Sequence, residues 1–137
     1  MNLRVLLLRM LIAAVGFAVV CALALVTFLY STYPFDDRTF ASEDWAASNS
    51  QERGRMVSSL LDDHLPKGMT EQQVTTLLGE DFTVVKQGTR EWPNPFREPK
   101  CHLYYVGSWG NWGMDSAFAV IFFDDNGQVT TSRLDGY

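Results

Sequence analysis

Cysteine and histidine are nearly missing from this 137-residue chain, which has two of each: Cys21, Cys101, His64 and His102. So few cysteines exclude a disulfide framework, and Cys21 lies inside an apolar run while Cys101 lies far beyond it. Cys101 is therefore expected as a buried or half-buried free thiol. Two histidines leave little material for acid–base or metal chemistry. Positive charge is short as well: the 11 Lys/Arg include Arg4 and Arg9, so the chain beyond residue 30 holds 9 basic against 16 acidic side chains, a formal charge of −7. That excess opposes nonspecific binding to nucleic acid. No nucleic-acid partner is expected.

Charge of either sign is absent from Leu11 to Tyr30, 20 residues behind Arg4 and Arg9. As a helix they would extend about 30 Å, the apolar thickness of a bilayer. Residues 1–30 therefore read as a membrane anchor or uncleaved signal that meets lipid through Leu11 to Tyr30. A cleaved signal is the alternative, since Ala22-Leu23-Ala24 offers small residues at a spacing of two. The anchor is favoured because apolar residues continue through Leu25, Val26, Phe28 and Leu29, with Tyr30 and Tyr33 as aromatic interface residues. A lipid-modified Cys21 is disfavoured by the bulky Val20 before it. Arg4 and Arg9 orient the N-terminus to the cytoplasm, which gives a single-pass protein of a bacterial inner membrane with its C-terminal part in the periplasm.

Residues 31–49 have no sustained period and read as a juxtamembrane linker, whose Phe40 and Trp45 are expected to pack back on the domain. Residues 50–137 suffice for one small domain. Val57, Leu60, Leu61 and His64 recur at helical spacing over about 50–64, and Pro66 and Gly68 end that helix. Thr70-x-x-Gln73 is a capping box, with Met69 and Val74 placed as a hydrophobic staple and Gly79 as the stop. Strands are expected at 82–86, 102–106, 117–123 and 128–132. Pro93, Pro95 and Pro99 bar a regular central strand from 91–100.

Asp124-Asp125-Asn126-Gly127 reads as a hairpin turn. Pairing Phe123 with Gln128 sets Phe118, Val120, Phe122 and Val129 on one face, expected to receive the helices. The fold class that follows is α+β: an N-terminal transmembrane helix, then two short helices on a three- or four-stranded antiparallel sheet. The other face would leave Ile121 and Phe123 as an apolar docking surface, unless loops or the C-terminus cover it.

The segment from Gly107 to Asp115 joins three glycines to Trp109 and Trp112, side chains of the kind that dominate binding hot spots. Its glycine spacing is no dinucleotide fingerprint, because no strand-to-helix crossover surrounds it. Cys101 and His102 are adjacent, so if the strand begins at or before Cys101 they point to opposite faces and make no nucleophile–base pair. Asp62-Asp63-His64 lacks zinc spacing, and the Asp124 turn lacks the later ligands of a calcium loop. The chain is expected to be no enzyme and to use no cofactor or metal.

The stretch Leu65-Pro66-Lys67-Gly68-Met69-Thr70 through Val74 and Leu77-Leu78-Gly79-Glu80, then Tyr104-Tyr105-Val106-Gly107 and Phe122-Phe123-Asp124-Asp125-Asn126-Gly127-Gln128-Val129, resembles the SmpA/OmlA family. That family includes the small lipoprotein subunit of the outer-membrane β-barrel assembly machinery. The resemblance spans residues 58 to 132. It implies a noncatalytic envelope module acting through protein contacts, with Gly68, Met69, Thr70, Val74, Leu77 and Gly79 defining the fold. Contacts in the family direct attention to Trp109, Trp112, Met114 and Asp115. The leading expectation is a membrane-tethered adaptor or structural-support protein for an envelope protein. The alternatives are an inhibitor or regulator of an envelope enzyme, and a hydrolase using His102, Cys101 or Asp115.

Overall fold

The computed structural model describes residues 3–32, 38–89, 97–109 and 115–136. The chain divides into two compact units, Met1–Tyr33 and Pro34–Tyr137. The first is helix α1, Leu3–Thr32. Its stretch Arg4–Thr27, 24 residues, is long and apolar enough to cross a membrane, and none of it is buried within the protein. Apolar side chains such as Leu11, Phe17 and Leu23 are more than half exposed. In water that surface would oppose folding as an isolated helix.

The second unit starts with α2, Ser42–Ala47, inside the stretch read as linker. It is followed by α3, Ser50–Ser59, whose cap Asn49 accepts a hydrogen bond from the Glu52 amide at 3.0 Å. A π-helical turn, Leu60–His64, continues α3, so the expected helix is present but its last turn is widened. Helix α4, Glu71–Leu78, has both bonds of the Thr70–Gln73 capping box. Gly79 then ends it at φ 85°, a conformation glycine adopts without a Cβ penalty.

Strands β1 (Thr83–Lys86), β2 (Lys100–Trp109), β3 (Asp115–Phe123) and β4 (Val129–Asp135) form one antiparallel sheet in the order β1-β2-β3-β4. A register shift interrupts β2–β3 between Tyr105 and Ser108, and another interrupts β3–β4 between Phe122 and Phe123.

The second shift moves Val129 to the other face, and the helices pack on the face opposite to the expected one. Phe123 lies opposite Val129, not Gln128, and Phe122 lies opposite Thr131. The face that meets the helices carries Ala117, Ala119, Ile121, Phe123 and Val129, packed with Trp45, Met56, Val57, Leu60, Val74, Leu78 and Tyr104. Phe118, Val120 and Phe122 lie on the reverse face with Val85, Leu103 and Cys101. Ile121 and Phe123 are fully buried and are not docking residues. Side-chain size accounts for the inversion. Ala117 and Ala119 leave room for the large rings of Trp45 and Tyr104, whereas Phe118, Val120 and Phe122 would hold a helix layer farther from the sheet.

Phe40 and Trp45 pack back on the domain as expected, both buried, with ring centroids 5.8 Å apart. Trp45 Nε1 donates to the Leu78 carbonyl at 3.1 Å, which ties α2 to the end of α4. Arg53 on α3 donates from Nε to the Trp45 carbonyl at 3.1 Å and from Nη1 to Asp81 at 2.9 Å, with its guanidinium carbon 5.4 Å from the Trp45 ring centroid. One tryptophan therefore holds three helical pieces together.

Candidate functional site

The densest polar chemistry among the described residues lies where α4 meets β2. Lys100 and His102 are two apart on β2, so both face the helices. Glu71 is the first residue of α4, where a carboxylate also complements the helix dipole. His102 is completely buried, and its Nε2 lies 2.9 Å from Glu71 Oε1. Glu71 Oε2 accepts from Lys100 Nζ. The two carboxylate oxygens are thus divided between a buried imidazole and a surface ammonium.

Aromatic rings close the space around the imidazole. Phe82 stacks on it with centroids 3.9 Å apart and planes 15° from parallel, and Phe123 sits at 4.7 Å. Lys100 Nζ lies 5.9 Å from the Phe123 centroid. The other ring nitrogen, Nδ1, is buried with no hydrogen-bond partner among the described residues. Burial pushes the His102 pKa below its usual value, against the pull of Glu71. The Lys100 hydrogen bond holds the Glu71 carboxyl below its usual value, helped by the charges of Lys100 and His102 and opposed by burial. The result at neutral pH is a neutral imidazole whose Nε2–H donates to an ionised carboxylate.

Neighbouring groups serve structure. Tyr104 Oη donates to the Gly79 carbonyl at 3.1 Å, and burial raises its pKa. His64, half-buried, lies 5.0 Å from the Phe40 ring. Two shallow clefts share Ser42 and Leu77. One is lined by Met69, Thr70, Gln72, Gln73 and Thr76, the other by Phe40, Ala41, Glu43, Asp44 and His64. Helix α4 forms a wall of the first.

The residues singled out in the sequence do not converge. Trp109 and Asp115 are register partners at the ends of β2 and β3, while Trp112 and Met114 lie outside the described residues. Cys101 is buried on the reverse face from His102, and burial pushes its thiol up to about 11, which leaves it protonated and unreactive at neutral pH. Asp115, paired with Trp109, is seven strand positions from His102, about 23 Å along β2. A hydrolase centre assembled from His102, Cys101 and Asp115 is incompatible with these positions. Among the described residues, no group of three or more His, Cys, Asp or Glu side chains is placed to hold a metal.

Glu71 and Lys100 were not foreseen. The Lys-x-His spacing on a strand places those two on one face, and the acid after a capping box places Glu71 in a first turn. Nothing local indicates that this turn docks on that strand. Compared with protein-family models, with curated proteins and with solved structures, the chain gives no match. The resemblance to the SmpA/OmlA family rests on the residues quoted for it.

Proposed function

We propose that this chain is a noncatalytic envelope adaptor or structural-support protein, of the kind the SmpA/OmlA resemblance implies, tethered to a bacterial inner membrane with its α+β unit in the periplasm. The observation that carries this reading is helix Arg4–Thr27, a 24-residue apolar span joined to an acidic, separately packed unit. Arg4 and Arg9 give the orientation. The use of His102 in the closed helix–sheet joint, and the separation of Cys101 from it, favour contact over chemistry. The contact we propose is the β2–β3 connection, because Trp109 and Asp115 end their strands there and Trp112 and Met114 fall between them in the sequence. The partner is an envelope protein.

Two measurements test this. The full chain stays with the membrane pellet under alkaline extraction, and a reporter fused after Tyr137 is active on the periplasmic side; release into the soluble fraction, or a cytoplasmic reporter, overturns the tether. Crosslinked membranes from wild type yield a specific envelope protein whose recovery falls at least about tenfold in a folded Trp109→Ala/Trp112→Ala variant. Equal recovery removes the loop from the proposal.

A further inference from the structure

We infer that Glu71, Lys100 and His102 form a proton-operated latch between α4 and the sheet, closed while His102 is neutral and opened when its ring takes up a second proton. The latch is independent of the adaptor reading, because it follows from the joint alone. His102 is 0% exposed, and its Nδ1 has no hydrogen-bond partner among the described residues. A neutral ring tolerates this, since Nε2–H is satisfied by Glu71 and Nδ1 carries only a lone pair. Protonation turns Nδ1 into a buried donor that has no acceptor among the described residues. The Phe82 face can attract the cation but cannot accept that bond.

The charged and titratable groups around the ring sharpen the outcome. Glu71 on α4 attracts the imidazolium, Lys100 on β2 repels it, and Tyr104 on β2 already donates its hydroxyl to the Gly79 carbonyl. The cross-strand partners, Val84 on β1 and Ile121 on β3, are uncharged, as is Phe123. Hydration of Nδ1 requires one wall to give way. Phe82 is that wall: it is half-buried and lies in the short irregular connection between Gly79 and β1 rather than in a strand. Its displacement loosens the connection to α4, and with it the cleft wall formed by Gln72, Gln73 and Thr76. Glu71 stays ionised over this range because its carboxyl is held below the ordinary value.

The test is hydrogen exchange of the full chain in detergent micelles at about pH 7.5 and about pH 5, corrected for intrinsic exchange. Wild-type amides over 79–83 and 71–75 are expected to lose at least about tenfold protection at the lower pH, while His102→Gln, which keeps a neutral donor toward Glu71, is expected to show no pH-dependent change there. The latch is overturned if wild type keeps its protection, or if His102→Gln loses it equally. Nitrogen-15 labelling of the two wild-type histidines decides the matter even if the variant fails to fold. Opening must track protonation of the His102 ring and not that of His64; a His102 ring that stays neutral throughout, or opening that follows His64, overturns the proposal.

Discussion

The two faces of the sheet are built from the same kind of alternating apolar sequence and finished in different ways. The helix-bearing face pairs small strand residues, Ala117 and Ala119, with large rings brought by Trp45, Phe40 and Phe82, and encloses the one buried histidine. The reverse face carries the bulkier Phe118, Val120 and Phe122 beside Val85 and Cys101. Arg133 places its guanidinium carbon 5.9 Å from the Phe122 ring. Small residues on a strand mark where another layer will sit, because a close approach needs room. Apolar alternation alone marks neither face.

Removing the principal ring from each face tests that difference most strongly. Trp45→Ala is expected to cost about 3–5 kcal/mol in denaturant unfolding, since the cavity adds to loss of the Leu78 hydrogen bond and of the Arg53 contacts. Phe122→Ala should cost less, about 3 kcal/mol, because a phenyl ring carries no hydrogen-bonding group like the Trp45 indole N–H and the cavity is the principal loss. Equal costs would mean that the two faces carry the fold alike.

Gly136→Ala probes the reverse face at its end. Gly136 has φ 90°, and a Cβ there would meet the Ser116 carbonyl oxygen at 2.5 Å and Phe118 at 3.3 Å. A loss of about 1–3 kcal/mol is expected, measured by the urea midpoint. A neutral result would show that the end of β4 moves freely. On the helix side, Thr70→Ala removes the cap of α4 and should cost about 1 kcal/mol, with Thr70→Ser largely restoring it.

The gentlest probe is pH. His102 has a folded-state pKa below its unfolded value of about 6.5, so its contribution is complete above that value and is lost as pH falls through it toward the folded value. Glu71, also lowered, has its contribution in place above about 4.5 and loses it further into acid. The unfolding midpoint of wild type should therefore decline below about pH 6.5, and His102→Gln should remove the upper part of that decline. An unchanged slope in the variant would place the acid sensitivity elsewhere.

Local chemistry made much of the fold legible. The Thr70-x-x-Gln73 box, the Gly79 stop, the Asn126-Gly127 turn and the positions of all four strands follow from short-range signals. The return of Phe40 and Trp45 follows from their apolar area. The face assignment failed for two reasons: the bulge between Phe122 and Phe123 puts Val129 with Phe123 instead of Phe122, and the bulkier face of β3 was expected to meet the helices although the alanine-bearing face does. The Glu71–Lys100–His102 cluster was illegible for a different reason. It depends on where α4 lands, and landing is decided by packing rather than by any local spacing.

Helix α4 does not start on its own. Gly68 N–H donates to the Val129 carbonyl at 2.8 Å, Val129 N–H returns to the Met69 carbonyl at 2.8 Å, and Glu71 N–H reaches the Gly127 carbonyl at 2.9 Å. Thr70 forms an isolated bridge with Gln128. Eight residues are too few to persist as a helix unaided, so its first turn must wait for the β3–β4 hairpin, which lies far along the chain. The first turn of α4 thus depends on residues roughly sixty positions further along the chain, a contact of large sequence separation of the kind that slows folding more than any local turn does.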